Sequence, residues 1–297
     1  MSLDAAARVT DAGDTRRLAG AYAHCAGIAR THYENFTIGS WLLPRRLRLD
    51  LAAVYAFARG ADDLADEGPD DGRLPRLAAW EDRLLDCARD PAGADHPVFV
   101  ALGHTIARHD LPLEPFRDLL RAFRRDAAGD TRAFATFADV LEYCRCSANP
   151  VGRIVLALFG HQDAERQARS DDICTALQLT NFWQDVAGDL DRGRVYIPAE
   201  DLDRFPGSRE ALAERRANAA FRRLLAFEVT RTRELFHRGL ALPDLVTGRL
   251  AREIRLFAHG GLAILDRIAA VDHDVFARRP TLTRADLARL VLRGLWR

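Results

Sequence analysis

Carboxylates at a fixed interval are the residues in this chain best suited to chemistry. In Asp62-Asp63-Leu64-Ala65-Asp66-Glu67, Asp62 and Asp66 stand four apart. On a helix both then project from one face, with Asp63 only partly rotated away. Like charges at that spacing repel, and acids at a helix C-terminus also oppose its dipole, so a cation is needed to offset them. A solvated acidic helix end running into the Gly68–Gly72 loop is the competing reading of this segment taken alone. The interval recurs in Asp185-Val186-Ala187-Gly188-Asp189, followed directly by Asp191-Arg192-Gly193-Arg194. Two such pairs can bind several hard cations. Mg²⁺ takes one or two carboxylates and fills its other positions with water and phosphate oxygens, so the pattern suits a metal-bridged diphosphate better than a bare protein cage. The metal would stabilise diphosphate as a leaving group.

The chain contains no lysine, so apart from histidine its basic side chains are all arginine. The planar guanidinium fork suits diphosphate, although a compositional bias toward Ala and Arg accounts for most of these positions. Other chemistries find no support: there is no Gly-rich phosphate loop with its Lys, no HExxH and no nucleophile elbow. Lys plus Arg and Asp plus Glu both total 43 in 297 residues, so no net field draws the protein to nucleic acid or to an acidic membrane. Cys25, Cys87, Cys144, Cys146 and Cys174 are an odd number in a chain with no leader-like apolar segment, which points to reduced thiols in the cytoplasm. No uninterrupted run of about 18 apolar residues is present to span a bilayer.

Long segments with apolar residues at helical spacing must position the acids. Breaker-rich stretches at Gly68–Pro75, Asp90–Pro97, Asp110–Pro115, Ala127–Thr131 and Tyr196–Ser208 separate them. Asp50 can cap a helix that runs through Leu51, Val54, Tyr55 and Phe57 to the first acidic cluster and stops at Gly68-Pro69. Thr136 or Asp139 can start a helix through Tyr143 to Phe159, kinked at Asn149-Pro150. Asp171 or Asp172 begins another, through Ile173, Leu177, Phe182 and Val186, ending near Gly193. Further helical patterns cover Arg209–Leu240, Leu245–Ala270 and Arg284–Leu295. The expectation is an all-α helical bundle forming one domain over residues 1–297.

In combination these motifs resemble the head-to-head trans-isoprenyl diphosphate synthases, which include squalene, phytoene and dehydrosqualene synthases. The resemblance runs from about Ala21 to Ala270. It is carried by His32-Tyr33-Glu34-Asn35-Phe36, by Tyr55-Ala56-Phe57-Ala58-Arg59 before the first acidic cluster, and by Tyr143-Cys144 before Val151-Gly152. Gln178-Leu179-Thr180-Asn181 before Asp185, and Asp191 to Pro198 after it, complete it. It implies a helical fold around a central cavity with a Mg²⁺-diphosphate site at its mouth. By position, Asp62, Asp66, Asp185 and Asp189 resemble the family's metal ligands, with Asn181 joining the second set and Asp63 supporting the first. His32, Tyr55, Arg59, Asn181, Gln184, Arg192 and Arg194 fall at substrate-binding positions, and Tyr143 matches a tyrosine at the reacting end of the cavity.

One departure is informative. Relatives that condense two farnesyl diphosphates usually have arginine just before the second acidic motif, and this chain has Gln184. With Trp41-Leu42-Leu43-Pro44-Arg45-Arg46 and Ser147-Ala148-Asn149-Pro150, this is similar to the bacterial hydroxysqualene synthase branch of the hopanoid pathway. The resemblance then implies ionisation of presqualene diphosphate, rearrangement of the cation and capture by water positioned by Tyr143 or Asn149, with Mg²⁺ as cofactor and no NADPH. A presqualene diphosphate synthase would be its neighbour. The rival is condensation of farnesyl or geranylgeranyl diphosphates to presqualene diphosphate, squalene or phytoene; a non-catalytic assembly factor with a synthase fold is the alternative of another class. Leu287, Leu290, Val291 and Trp296 alternate with Arg284, Arg289, Arg293 and Arg297. That basic amphipathic pattern suits either docking on the protein's own core or peripheral contact with the inner membrane surface.

Overall fold

The computed structural model describes residues 3–31, 44–67, 69–283, 286 and 290, with the backbone alone for residues 3–12 and 70. His32 and, apart from Asp286 and Leu290, the Arg284–Arg297 segment lie outside the described residues. The described chain is helical, and its one backbone bridge outside helices joins Ala133 to Val195. The helices gather into two compact units, Met1–Ala127 and Ala128–Arg297, a division that falls in the breaker-rich stretch Ala127–Thr131.

The first unit contains α1 (Leu3–Thr31), α2 (Arg45–Asp66), α3 (Asp70–Arg89), α4 (Pro97–His109) and α5 (Glu114–Ala128). Helix α2 packs against α1, α3 and α4. Its buried stripe of Ala53, Ala56, Phe57 and Ala61 recurs at helical spacing. Phe57 meets Phe99 and Phe116 edge to face, with ring centroids 6.2 and 5.6 Å apart, and stacks on Trp80. A Cβ at Gly60 would lie 2.6 Å from the Trp80 ring, so this glycine lets α3 approach the site-bearing end of α2. Asp50 is no cap. The helix begins earlier, after Pro44, and Asp50 is fully buried, accepting hydrogen bonds from Arg108 (2.8 Å) and Tyr22 (3.3 Å) and lying 3.1 Å from His109 Nε2. A buried carboxylate persists only when paired in this way.

The second unit contains α6 (Phe137–Ser147), α7 (Asn149–Leu158), α8 (Ala164–Gln184), α9 (Val186–Asp191), α10 (Ala199–Arg204), α11 (Ser208–Glu214), α12 (Ala219–Gly239), α13 (Leu242–Leu245) and α14 (Gly248–Ala270). Helix α8 is the hub, packed by α6, α7, α12 and α14. Thr136 and Asp139 form a reciprocal capping box at the start of α6. Asn149-Pro150 breaks the following segment outright, with Ala148 between α6 and α7. Helix α8 begins at Ala164, several residues before Asp171, because Asp163 caps it through Arg166 N. Its end also differs from expectation: Asp185 leaves helical geometry at φ −107° and ψ 15°, dividing α8 from the short α9.

Candidate active site

On α2, Tyr55 stands one turn before Arg59, Arg59 one turn before Asp62 and Asp63, and these one turn before Asp66 at the helix end. Arg59 donates to Asp62 at 3.2 Å and pairs with Asp63. Asp62 is only partly exposed; desolvation, then the charge of Asp66, push its carboxyl up to about 6. Arg59 acts against that rise. Two residues that sequence reasoning missed reach the helix end: Arg76 Nη2 donates to the Glu67 carbonyl at 2.6 Å and Arg73 Nη2 to that of Asp66 at 3.2 Å. Cations at a helix C-terminus oppose the dipole's negative end. Both come from α3, and no local spacing foretells them.

In the second unit the acid pair straddles the α8–α9 junction. Its helical spacing survives because Asp189 N still donates to Asp185 O at 2.9 Å. Asn181 lies one turn earlier on α8 and is exposed. Burial, then the charge of Asp185, push Asp189 up to about 6, while Arg192 and Arg194 act in the opposite direction. Arg192 Nη1 stands 3.8 Å from Asp189. Gly193 takes a left-handed conformation, φ 71°, and turns the chain so that Arg194 N donates to Asp189 O at 2.8 Å. Arg194, Asp189, Phe182 and Tyr196 line a small cleft there.

Tyr143 is buried in an aromatic cluster. Its ring centroid is 5.7 Å from that of Phe134, 6.2 Å from Phe182 and 5.9 Å from Tyr196, and Phe182 and Tyr196 stack at 3.7 Å, nearly parallel. Asn149 is buried, and its Oδ1 accepts from Thr175 Oγ1 at 2.9 Å, tying α7 to α8. Gln184 is buried too, and its amide donates to the Pro280 carbonyl. Arg279, the neighbour of Pro280, places its guanidinium bidentately on Asp185.

Among the described residues no three His, Cys, Asp or Glu side chains converge into a closed metal cage. Oxygen-rich acid pairs, each with one carboxyl raised by burial and by its partner's charge, fit a hard cation that completes its shell with water and phosphate.

The architecture is that of the all-helical isoprenoid synthases. The chain belongs to the squalene/phytoene synthase family, whose sequence model matches residues 29–286; the family is one of head-to-head prenyltransferase-type enzymes. It is 34% identical over 244 residues to the hydroxysqualene synthase of Rhodopseudomonas palustris, covering 80% of each chain. It is 30% identical over 281 residues to the 15-cis-phytoene synthase of Synechococcus elongatus, covering 88% of each. The crystal structure of squalene synthase HpnC from Alicyclobacillus acidocaldarius superposes with a TM-score of 0.82 at 44% identity, over 86% of this chain and 95% of that one.

Proposed function

We propose that the chain is a Mg²⁺-dependent hydroxysqualene synthase acting on presqualene diphosphate. Gln184 carries the reading. In place of the arginine usual in relatives that condense two farnesyl diphosphates, it is an amide whose donor is engaged by Pro280, so position 184 offers no charge to a phosphate. That suits a substrate with one diphosphate. The similarity to a relative named hydroxysqualene synthase supports the same choice.

Asp62 and Asp66, with Asp63 in support, would hold Mg²⁺ on α2, and Asp185, Asp189 and Asn181 would hold it at the α8–α9 junction; bound there, it would neutralise the charge that grows on a departing diphosphate. Arg192 and Arg194, beside Asp189, would bind and orient diphosphate at the junction, and Tyr55 and Arg59 would do so on α2. The carbon–oxygen bond breaks with its electron pair leaving on diphosphate. One water then adds its oxygen to the rearranged cation and loses a proton, so substrate and water are converted to hydroxysqualene and diphosphate. No hydride enters the balance, and NADPH is not required. The candidates for orienting that water are Tyr143, in the aromatic cluster, and Asn149, whose Oδ1 accepts from Thr175.

The phytoene synthases among its relatives favour a second reading, condensation of two prenyl diphosphates. Turnover of presqualene diphosphate in ¹⁸O-labelled water separates them: hydroxysqualene carrying one heavy oxygen is expected, and a hydrocarbon product or an unlabelled alcohol overturns the proposal. A presqualene diphosphate synthase is the partner such an enzyme needs. Among the described residues no helix is long and apolar enough to cross a membrane; a cytoplasmic location, with peripheral contact at the inner membrane surface, belongs to the same reading.

A further inference from the structure

Buried hydroxyls on the helices of this protein find partners close at hand. Thr105, Thr180 and Thr232 each donate to the carbonyl four residues back, at 2.7 to 2.9 Å, and Thr175 donates to Asn149 Oδ1 at 2.9 Å. Ser147 does neither. Its Oγ is shielded from solvent and, among the described residues, is the one buried hydroxyl oxygen with no hydrogen-bond partner. Ser147 is the last residue of α6, one turn beyond Tyr143. Val140, Tyr143 and Cys144 are buried, so an apolar stripe at helical spacing ends on this hydroxyl. The same stripe carries Tyr143 into its cluster with Phe134, Phe182 and Tyr196. Beyond Ala148, α7 opens with Asn149. Ser147 therefore lies between Tyr143 and Asn149, the two groups named above for orienting the capturing water, and its oxygen is uncommitted, whereas Asn149 Oδ1 is engaged. Buried polar groups without a protein partner are met by ordered water, and a hydroxyl offers one donor and two acceptor sites to hold it.

We infer that Ser147 is a positioning residue for water: its hydroxyl holds the molecule that captures the rearranged cation. The inference rests on the hydroxysqualene reading given above. In the capture step a lone pair of that water forms the new carbon–oxygen bond, and the proton it sheds passes to the released diphosphate, the base that ionisation generates. Ser147 accepts a hydrogen bond from the water, stays neutral and forms no bond to carbon.

The test is product analysis of the full chain with Mg²⁺ and presqualene diphosphate in ¹⁸O-labelled water. Ser147→Ala is expected to consume substrate at the parental rate, because ionisation precedes capture, while the hydroxysqualene share of the products falls about fivefold, the factor carried by one neutral hydrogen bond. Ser147→Thr, which keeps the hydroxyl, should recover most of that share. A parental product ratio in Ser147→Ala overturns the inference. So does slower consumption with an unchanged ratio, which would make Ser147 a packing residue, and so does an equal fall in Ser147→Ala and Ser147→Thr, which would trace to packing instead of the hydroxyl. If the parent forms no hydroxysqualene, the proposed reaction falls and takes this inference with it; a parent that forms it in the same ratio as Ser147→Ala removes the inference alone.

Discussion

At the residue scale the proposed reaction depends on single carboxylates. Asp62→Asn combined with Asp185→Asn is expected to lower kcat on presqualene diphosphate by at least ~100-fold while leaving the far-ultraviolet circular dichroism unchanged, because neutral amides cannot gather the cation that stabilises the leaving group. Retained turnover would refute the metal role. Tyr143→Phe keeps the ring among Phe134, Phe182 and Tyr196 and removes only the hydroxyl. If that hydroxyl orients the capturing water, the variant should consume substrate but divert product away from hydroxysqualene, readable by mass spectrometry; an unchanged product ratio would release Tyr143 from that role. The acid pairs were legible in the sequence because a four-residue interval is a local property; the pairing of Arg59 with Asp62 and Asp63 was not anticipated, although its spacing is equally local. Arg73, Arg76 and Arg279 were not legible. They reach the motifs from α3 and from the segment beyond α14, and tertiary approach leaves no mark in spacing. Gln184 was noticed as a missing charge, but its bond to Pro280 spans the chain and required the fold.

Elements succeed or fail by their ends. The Thr136–Asp139 capping box was readable because cap and third helical residue carry the right side chains, whereas Asp50 had the right type for a cap and a different use. Its partners Arg108 and His109 lie on α4, and buried pairing overrode a local preference. The α8–α9 break at Asp185 was equally hidden, since the carboxylate interval reads the same through a junction as through a continuous helix. Close helix approach gives a test at this scale. A Cβ at Gly60 would meet the Trp80 ring at 2.6 Å, and that ring is held by Phe57 and Phe99. Gly60→Ala should therefore cost about 1–3 kcal/mol in denaturant unfolding, despite the better helix propensity of alanine. Parental or increased stability would show that Trp80 yields freely.

Across the whole molecule, one buried charge cluster sets an expected pH response. Glu228 is fully buried on α12 beside Arg231, which also pairs with Asp201 at 2.8 Å and lies over the Phe137 ring. Burial first, with Asp201 acting in the same direction and Arg231 against it, pushes Glu228 up from 4.5 to about 8. The folded protein then keeps a proton that the unfolded chain gives up near pH 4.5, so the contribution of this group to stability falls as pH rises from about 4.5 to about 8 and is level above that, a change of order a few kcal/mol. Thermal melts of Glu228→Gln, neutral at every pH, should show a shallower decline over that window than the parent; identical slopes would show that Glu228 ionises normally. Fold class and family were readable from the whole chain, because helical periodicity and the motif set are spread along it, while the division near Ala127 emerged only from packing. The central claim is the reaction itself. Presqualene diphosphate and farnesyl diphosphate, offered in separate Mg²⁺-containing reactions without NADPH and followed by mass spectrometry, test it most directly: hydroxysqualene from presqualene diphosphate and no product from farnesyl diphosphate is the predicted result, and presqualene diphosphate or phytoene-type hydrocarbon formed from a prenyl diphosphate would contradict it.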